Sequence, residues 1–372
     1  MDFNYNVLDN NEKIIYTLRS LYLKHGYARY KMSKFEEYDL YSKNKDFLVS
    51  DSVITFNDTT GKLMALKPDV TLSIIKNNRG FNDGVLKVCY DENVYRVSRG
   101  TGAFKEIMQT GLECIGDVDD YSIGEVLWLA AESLAAISTD FILDISDLDI
   151  IEAFIDNISS DRVIQKALMK CIGEKNTHGI TSVCSDNNID ESKAELLNKL
   201  VSSYGRIDEV LPQIKELASL IGADSSVSDL ANILEIFKGY KYADRIHIDM
   251  SVISDMKYYN GVVFSGFING VPDSVLSGGR YDKLMTRMHE ESKAIGFAVY
   301  LDMLEGLYRD RCEYDADIML IYDKKSDNSK LRETVSDFIG NGKTVFVTDK
   351  DSDIVSCRTK MMFDGEEVKT LE

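Results

Sequence analysis

The sequence predicts an α+β protein assembled in sections, and three observations carry that reading. Between residues 27 and 115, β-type apolar runs recur in pairs separated by turn residues. From about 149 to 240 the strand signals vanish and helical periodicity dominates. Strands then resume, and from about Asp315 a strand–helix–strand pattern opens a small α/β module. The expected organisation is a first domain over 1–312, with a helical insertion at about 149–240, and a short C-terminal module over 313–372.

Each element has its own signal. Ile14, Ile15, Leu18, Leu21 and Tyr22 recur at helical spacing, and Gly26 stops that helix. A strand follows through Tyr27–Lys31. Val53–Phe56, a turn at Asn57–Gly61 and Leu63–Leu66 read as a hairpin. Val70–Lys76 is a short helix. Leu86–Tyr90 and Val94–Val97 form a second strand pair, and Ile107–Ile115 is a further strand. Gly124–Ser138 is a helix holding the sole tryptophan, Trp128, and Phe141–Ile145 returns to strand. The insertion carries helices at Val163–Cys171, Ser192–Ser203, Ile207–Leu220 and Ser226–Lys238. Strands follow at Ile246–Met250, Gly261–Phe267 and Ser274–Ser277. The pair Gly278-Gly279 then feeds a helix beginning near Asp282. Ala294–Ala298 is a small-residue strand running into a helix over Val299–Leu304. The tail reads Ile318–Tyr322, a helix at Lys330–Gly340, and Val345–Thr348.

Composition narrows the function. The chain has 372 residues, 44% hydrophobic and 28% charged, as ordinary globular proteins do. No basic start precedes an apolar run, and no stretch approaches the roughly 18 apolar residues of a membrane span, so neither signal peptide nor membrane is expected. The six cysteines, at 89, 114, 171, 184, 312 and 357, form no CxxC pair. That disfavours a metal or redox centre and suits a reducing cytoplasm. A net charge of -19 opposes broad contact with phosphate backbones, and no Lys/Arg run with interleaved aromatics occurs.

Four segments carry chemistry. Ser277–Asp282 and Ala294–Ala298 make a cradle in which glycines let backbone approach a small molecule. In Leu66–Thr71, Asp69 and Thr71 stand at a helix start, as N-terminal helix residues or as acceptors for an ammonium group. Gln109, Gly111 and Glu113 share one strand face, which is either solvated or the polar floor of a ligand site. Arg96 on the adjoining strand can hold a carboxylate bidentately. Tyr258 and Tyr259 precede Gly261 and are either a hairpin edge or a ring wall with a hydroxyl.

In order, these pieces resemble the class II aminoacyl-tRNA synthetases, and the histidyl-tRNA synthetases in particular. Lys67-Pro68-Asp69-Val70-Thr71 resembles that family's Arg-Pro-Glu-Gly-Thr segment. Tyr95-Arg96 resembles the Phe-Arg of motif 2, and Gln109–Glu113 its return strand. Tyr258-Tyr259 match the end of the histidine-specific Arg-Gly-Leu-Asp-Tyr-Tyr segment, and Gly278–Asp282 match Gly-Gly-Arg-Tyr-Asp. Each is weak alone; five in order over about 10–310 are specific. The resemblance implies a large antiparallel sheet flanked by helices, a dimer, and a histidine site at Asp69, Thr71, Arg96, Gln109, Glu113, Tyr258, Tyr259, Arg280 and Tyr281.

The departures point away from catalysis. Ser254 stands where the family has a catalytic arginine, and Met303 where motif 3 has an ATP-binding one. Ser98 replaces an acidic ATP contact, Ser33 replaces the motif 1 proline, and Asp255 and Lys257 also diverge. A full anticodon-binding domain would need a longer C-terminus. The pattern is similar to the regulatory-subunit family of ATP phosphoribosyltransferase, synthetase-like chains without aminoacylation activity. That resemblance implies a homodimer that binds and activates a short-form phosphoribosyltransferase catalytic subunit in the first step of histidine biosynthesis. It also implies histidine as the feedback effector, and neither cofactor nor tRNA. Two other classes stay open at this point: an active histidyl-tRNA synthetase, and a stand-alone amino-acid sensor.

Overall fold

A capping box sets the start of the first helix. The Asp9 carboxylate accepts from the Glu12 N–H at 2.7 Å, and Glu12 accepts from the Asp9 N–H at 3.0 Å, which satisfies amides that a helix N-terminus leaves open. Helix α1 (Asn10–Lys24) then buries Ile14, Leu18 and Tyr22. This computed structural model describes residues 8–44, 53–78, 84–98, 101–253, 258–288, 290–304, 306–307 and 314–371. The chain divides into two compact units, Met1–Leu307 and Tyr308–Glu372.

In the first unit the order continues with β1 (Ala28–Arg29), β2 (Phe35–Glu37), α2 (Tyr38–Lys43), β3 (Thr55–Asn57), β4 (Leu63–Leu66) and α3 (Thr71–Asn77). Next come β5 (Val85–Val97), β6 (Phe104–Gly116), α4 (Asp120–Ile137) and β7 (Phe141–Asp147). The helical section holds α5 (Leu148–Ile158), α6 (Arg162–Gly173), α7 (Thr177–Asp186), α8 (Glu191–Ser202), the short β8 (Tyr204–Arg206), α9 (Ile207–Ser219) and α10 (Asp224–Leu234). The chain returns through β9 (Ile246–Asp249), β10 (Val262–Ile268), β11 (Leu276–Arg280), α11 (Asp282–Arg287) and β12 (Lys293–Tyr300).

Among the described residues these strands form a nine-stranded sheet in the order β1-β5-β6-β12-β11-β10-β7-β9-β8. The sheet is mixed rather than wholly antiparallel. β1 runs parallel to β5, and β9 parallel to β7. Parallel neighbours need a long crossover, and the α5–α10 section is the one that joins β7 to β9. A separate small sheet, β2-β4-β3, lies beside the core built from Tyr41, Leu72, Ile74, Val88, Tyr90, Tyr258, Tyr281 and Leu284.

Several elements differ from expectation, each for a physical reason. The expected strand pair at 86–97 is one continuous strand. Its polar centre stays in the ladder opposite Met108–Thr110 because each side chain has a partner: Asp91 with Arg19 and Thr110, Glu92 with Lys67, Asn93 with Glu106. Gly278 and Gly279 lie inside β11, not in a turn after it. A Cβ on Gly278 would stand 2.4 Å from the Gly296 carbonyl and 2.5 Å from the Phe297 Cβ, so close strand packing demands glycine there. Val299 and Tyr300 end β12, and only Leu301–Leu304 turns, as a 3-10 segment. Helices α5 and α7 and strand β8 were not expected, although Leu148, Ile151, Phe154, Ile155 and Ile158 recur along α5 at helical spacing.

The second unit contains β13 (Ala316–Tyr322), α12 (Asn328–Gly340), β14 (Val345–Thr348), β15 (Cys357–Phe363) and β16 (Val368–Leu371). Its sheet order is β14-β13-β15-β16, with β13 parallel to both neighbours. Strand β15 was missed because its alternation through Arg358 and Lys360 covers only four residues before the apolar run Met361–Phe363 ends it, and the short β16 went with it.

Candidate functional site

Lys67 organises the loop that enters α3. Its side chain is fully buried, with Nζ 2.9 Å from Glu92 Oε2 on β5. Its N–H donates to the Lys34 carbonyl at 3.0 Å, and its carbonyl accepts the Tyr95 N–H at 2.8 Å. The Pro68 carbonyl accepts from Arg96 Nε at 3.3 Å. Lys67 and Pro68 are therefore tied to β5, and Thr71, a few residues on, reaches Glu113 on β6.

Asp69 takes the capping role: one carboxylate oxygen accepts the Leu72 N–H at 2.9 Å. Burial raises its pKa, while the Leu72 N–H and the Arg96 charge oppose the rise. Thr71 takes the site role. Its hydroxyl donates to Glu113 Oε1 at 2.8 Å, and the Tyr281 hydroxyl donates to Glu113 Oε2 at 2.6 Å. Glu113 is only 2% exposed. Burial pushes its pKa up from 4.5 to about 8, against the two hydrogen bonds, with the nearby Asp69 adding to the rise. Burial therefore favours the protonated form of this carboxyl.

Strand register makes room for this group. Gly296 on β12 lies opposite Glu113, and a Cβ there would meet Oε2 at 1.8 Å. Gly111, two residues along the same face, lies opposite Tyr90 on β5 and leaves space for its ring. Gln109 is buried on that face as well. The Tyr258 and Tyr259 rings meet tilted by 55° with centroids 4.5 Å apart, and Tyr258 lies 5.9 Å from the Tyr281 ring. Burial holds the hydroxyls of Tyr90, Tyr258, Tyr259 and Tyr281 well above the ordinary tyrosine range. The face read as either solvated or a ligand floor is thus buried and polar.

Arg280 is not brought to this cluster. It sits one residue beyond Gly279 on β11, so its side chain leaves on the opposite face, where Nε pairs with Asp282 at 2.6 Å. Asp282 also accepts the Ala294 N–H at 2.9 Å and so fastens the start of α11 to β12. Met303 is 40% exposed beyond the end of β12. Ser33 accepts the Phe35 N–H through its hydroxyl at 3.3 Å. Ser254, Asp255 and Lys257 lie outside the described residues. Sequence reasoning missed three members: Tyr90, whose signal was a glycine opposite needing an occupant, and the Lys67–Glu92 pair, whose register is invisible in one dimension.

The arrangement offers a buried carboxyl, an arginine at the rim, hydroxyls and aromatic walls. It suits capture of a small polar molecule with a cationic or N–H donor end. Among the described residues no group of three or more His, Cys, Asp or Glu could hold a metal ion, and no helix is long and apolar enough to cross a membrane.

Comparison with known proteins bears on the family and the fold. The family model described as histidyl-tRNA synthetase matches residues 2–304. Similar curated proteins include the ATP phosphoribosyltransferase regulatory subunit of Thermoanaerobacter sp. (strain X514), 29% identical over 294 residues, covering 78% of this chain and 76% of the relative. The protein of the same name from Clostridium kluyveri is 26% identical over 322 residues, covering 83% and 82%. Among solved structures, the ATP phosphoribosyltransferase regulatory subunit/histidyl-tRNA synthetase from Bacillus halodurans aligns with a TM-score of 0.75 at 22% identity, over 95% of this chain and 94% of that one. Histidyl-tRNA synthetase from Nostoc sp. PCC 7120 gives 0.73 at 15% identity, over 95% and 87%. The ATP phosphoribosyl transferase (HisG:HisZ) complex from Thermotoga maritima gives 0.62 at 19%, over 81% and 98%. The fold is the class II synthetase-like fold of these structures.

Proposed function

Because the chain belongs to the histidyl-tRNA synthetase family, we propose that it is a non-catalytic member, a regulatory subunit that binds free histidine. In this reading it joins a short-form ATP phosphoribosyltransferase catalytic subunit, raises its rate, and lets histidine oppose that effect. It thereby conveys feedback to the first step of histidine biosynthesis. The observation that carries the reading is an asymmetry within one site. The Glu113 cage is complete, with both carboxyl oxygens engaged by Thr71 and Tyr281, while by the resemblance Met303 stands where the synthetases carry a phosphate-binding arginine. A methionine cannot stabilise the charge that develops on a phosphoryl group. Serine at position 254, by sequence, removes a second such cation.

Histidine is placed with its ammonium toward Asp69, Thr71 and Gln109, its carboxylate toward Arg96, and its imidazole between Tyr259 and Tyr281 with a ring N–H on Glu113. Thr71 donates to Glu113, also hydrogen-bonds Tyr258, and keeps one lone pair for the ammonium. Arg96 uses Nε on Pro68 and keeps its terminal nitrogens for a carboxylate. The names carried by the relatives support the partner. Homodimerisation is supported by the outward face of the small sheet, where Phe35 and Phe56, 49% and 39% exposed, stack edge-to-face at 5.8 Å. The net charge of -19 favours a protein partner over tRNA. The reading needs neither cofactor nor metal, and places the protein in the cytoplasm.

An effector acts only through differential affinity for two states of the complex. The test mixes this chain with a short catalytic subunit and follows phosphoribosyl-ATP formation with and without histidine. Co-elution, activation and histidine-dependent loss of activation are expected. No co-elution and no rate change would remove the partner claim. Histidine-dependent exchange of pyrophosphate into ATP by the purified chain would instead favour an active synthetase.

A further inference from the structure

The C-terminal unit carries a cavity of its own, at the place where its topology puts one. β13 lies between β14 and β15, and all three run parallel. Helix α12 carries the chain from β13 to β14 on one side. The chain then passes to β15 on the other side. In open α/β sheets, that reversal leaves a crevice outside the carboxyl ends of the strands, and ligands bind there. A cavity of about 510 Å³ lies at those ends, lined by Ile321–Lys324 after β13, Asp349 and Lys350 after β14, and Met362–Asp364 after β15. That volume suits a small metabolite.

The charges around the cavity decide its chemistry. Lys324 pairs with Asp349 at 2.7 Å, and Asp364 pairs with Lys369 at 2.8 Å. Asp364 also accepts the Glu366 and Glu367 N–H groups at 3.1 and 3.0 Å. These four side chains neutralise one another. Asp323 and Lys350 are left over, and among the described residues neither has an ion-pair partner. Asp323 accepts only the backbone N–H of Lys325, at 2.9 Å. The last register pair of the β13/β14 ladder is Ile321 with Thr348. Asp323 and Lys350 each lie two residues beyond it, on adjacent strand ends. Ile321, two residues before Asp323 on the same sheet face, and its ladder neighbour Met362, 43% exposed, supply an apolar floor beside them.

We propose that this cavity is a second small-molecule site, specific for a zwitterion with an apolar body, such as a free amino acid with an aliphatic side chain. Its ammonium meets Asp323, its carboxylate meets Lys350, and its side chain covers Met362. A simple anion or cation would satisfy one of the two charges and leave the other facing it. The site is separate from the Glu113 cage and does not depend on the function proposed for it.

The test is a titration of the full-length, deuterated, nitrogen-15-labelled chain, read from backbone amides at 322–324, 349–350 and 363–364. The probes are leucine, N-acetyl-leucine and leucine amide. Leucine is expected to give saturable shifts. The two singly charged analogues should bind about tenfold or more weakly, as loss of one charge-assisted hydrogen bond predicts. Lys350→Gln and Asp323→Asn, both exposed and outside the core, should each weaken leucine to the same extent. Equal affinity for the three probes, unchanged affinity in both variants, or no saturable shift would each overturn the proposal. Histidine added to the same sample is read from the amides of Thr71 and Glu113, so failure at one site leaves the other standing.

Discussion

Replacing Glu113 by glutamine should move stability and ligand affinity in opposite directions. In the folded chain Glu113 titrates near 8, against 4.5 for an exposed carboxyl. A raised carboxyl pKa favours folding fully below about pH 4.5, and that contribution is lost as pH rises toward 8. At pH 7 the loss is roughly 2.5 pH units at 1.36 kcal/mol each, or about 3 kcal/mol. Glutamine cannot ionise and does not incur it. Against this, the amide accepts through one oxygen only, so either Thr71 or Tyr281 loses a partner at about 1–2 kcal/mol. The net expectation at pH 7 is stabilisation by about 1–2 kcal/mol, a rise of roughly 2–4 °C in apparent melting temperature. The advantage of the variant should shrink steadily as pH falls toward 5. Histidine affinity should fall about tenfold or more, since Glu113 can give up its proton when the ring N–H arrives and make a charge-assisted bond, whereas the amide can make only a neutral one. Calorimetry and thermal melts from pH 5 to 8 on both chains decide the matter. A variant less stable at every pH, with an unchanged pH slope, would refute the protonated carboxyl. Equal histidine heats would refute the placement of the ligand.

Gly296→Ala should abolish histidine binding with loss of stability, because a Cβ meets Glu113 Oε2 at 1.8 Å and the Leu112 carbonyl at 2.6 Å; binding as in the wild type would show that Glu113 does not face the ligand. Lys67→Met should destabilise the first unit by about 3 kcal/mol by leaving the Glu92 carboxylate unpaired, and denaturant melts should show the double change Lys67→Met with Glu92→Leu recovering part of it. Arg280→Gln should leave histidine affinity within about twofold, since the side chain points away from the site; a large loss by calorimetry would place it back among the ligand contacts. The purified chain should give no histidine-dependent pyrophosphate exchange above a no-enzyme control.

Much of the site was legible because strands have period two. Gln109, Gly111 and Glu113 had to share a face, and the structure places that face inside. The same rule, applied to Gly279 and Arg280, sends the arginine to the other side, although the motif suggested a contact. Asp69 illustrates a different limit. A carboxylate at a helix start can cap or can bind, and only its 2.9 Å contact with the Leu72 N–H shows that capping occupies one oxygen.

The sequence by itself determined the fold class, the helical section and the ordered motifs that resemble one family, because those depend on local periodicity and on residue types at short spacing. The tertiary structure alone decided which strands are neighbours and in what direction. β1 became an edge parallel to β5, β9 a strand parallel to β7, Lys67 found Glu92 across 25 residues, and Thr71 and Tyr281 met on Glu113 from 42 and 168 residues away. Such contacts carry no local signature. They arise when distant apolar faces are buried together, and the polar groups caught between those faces must then satisfy one another.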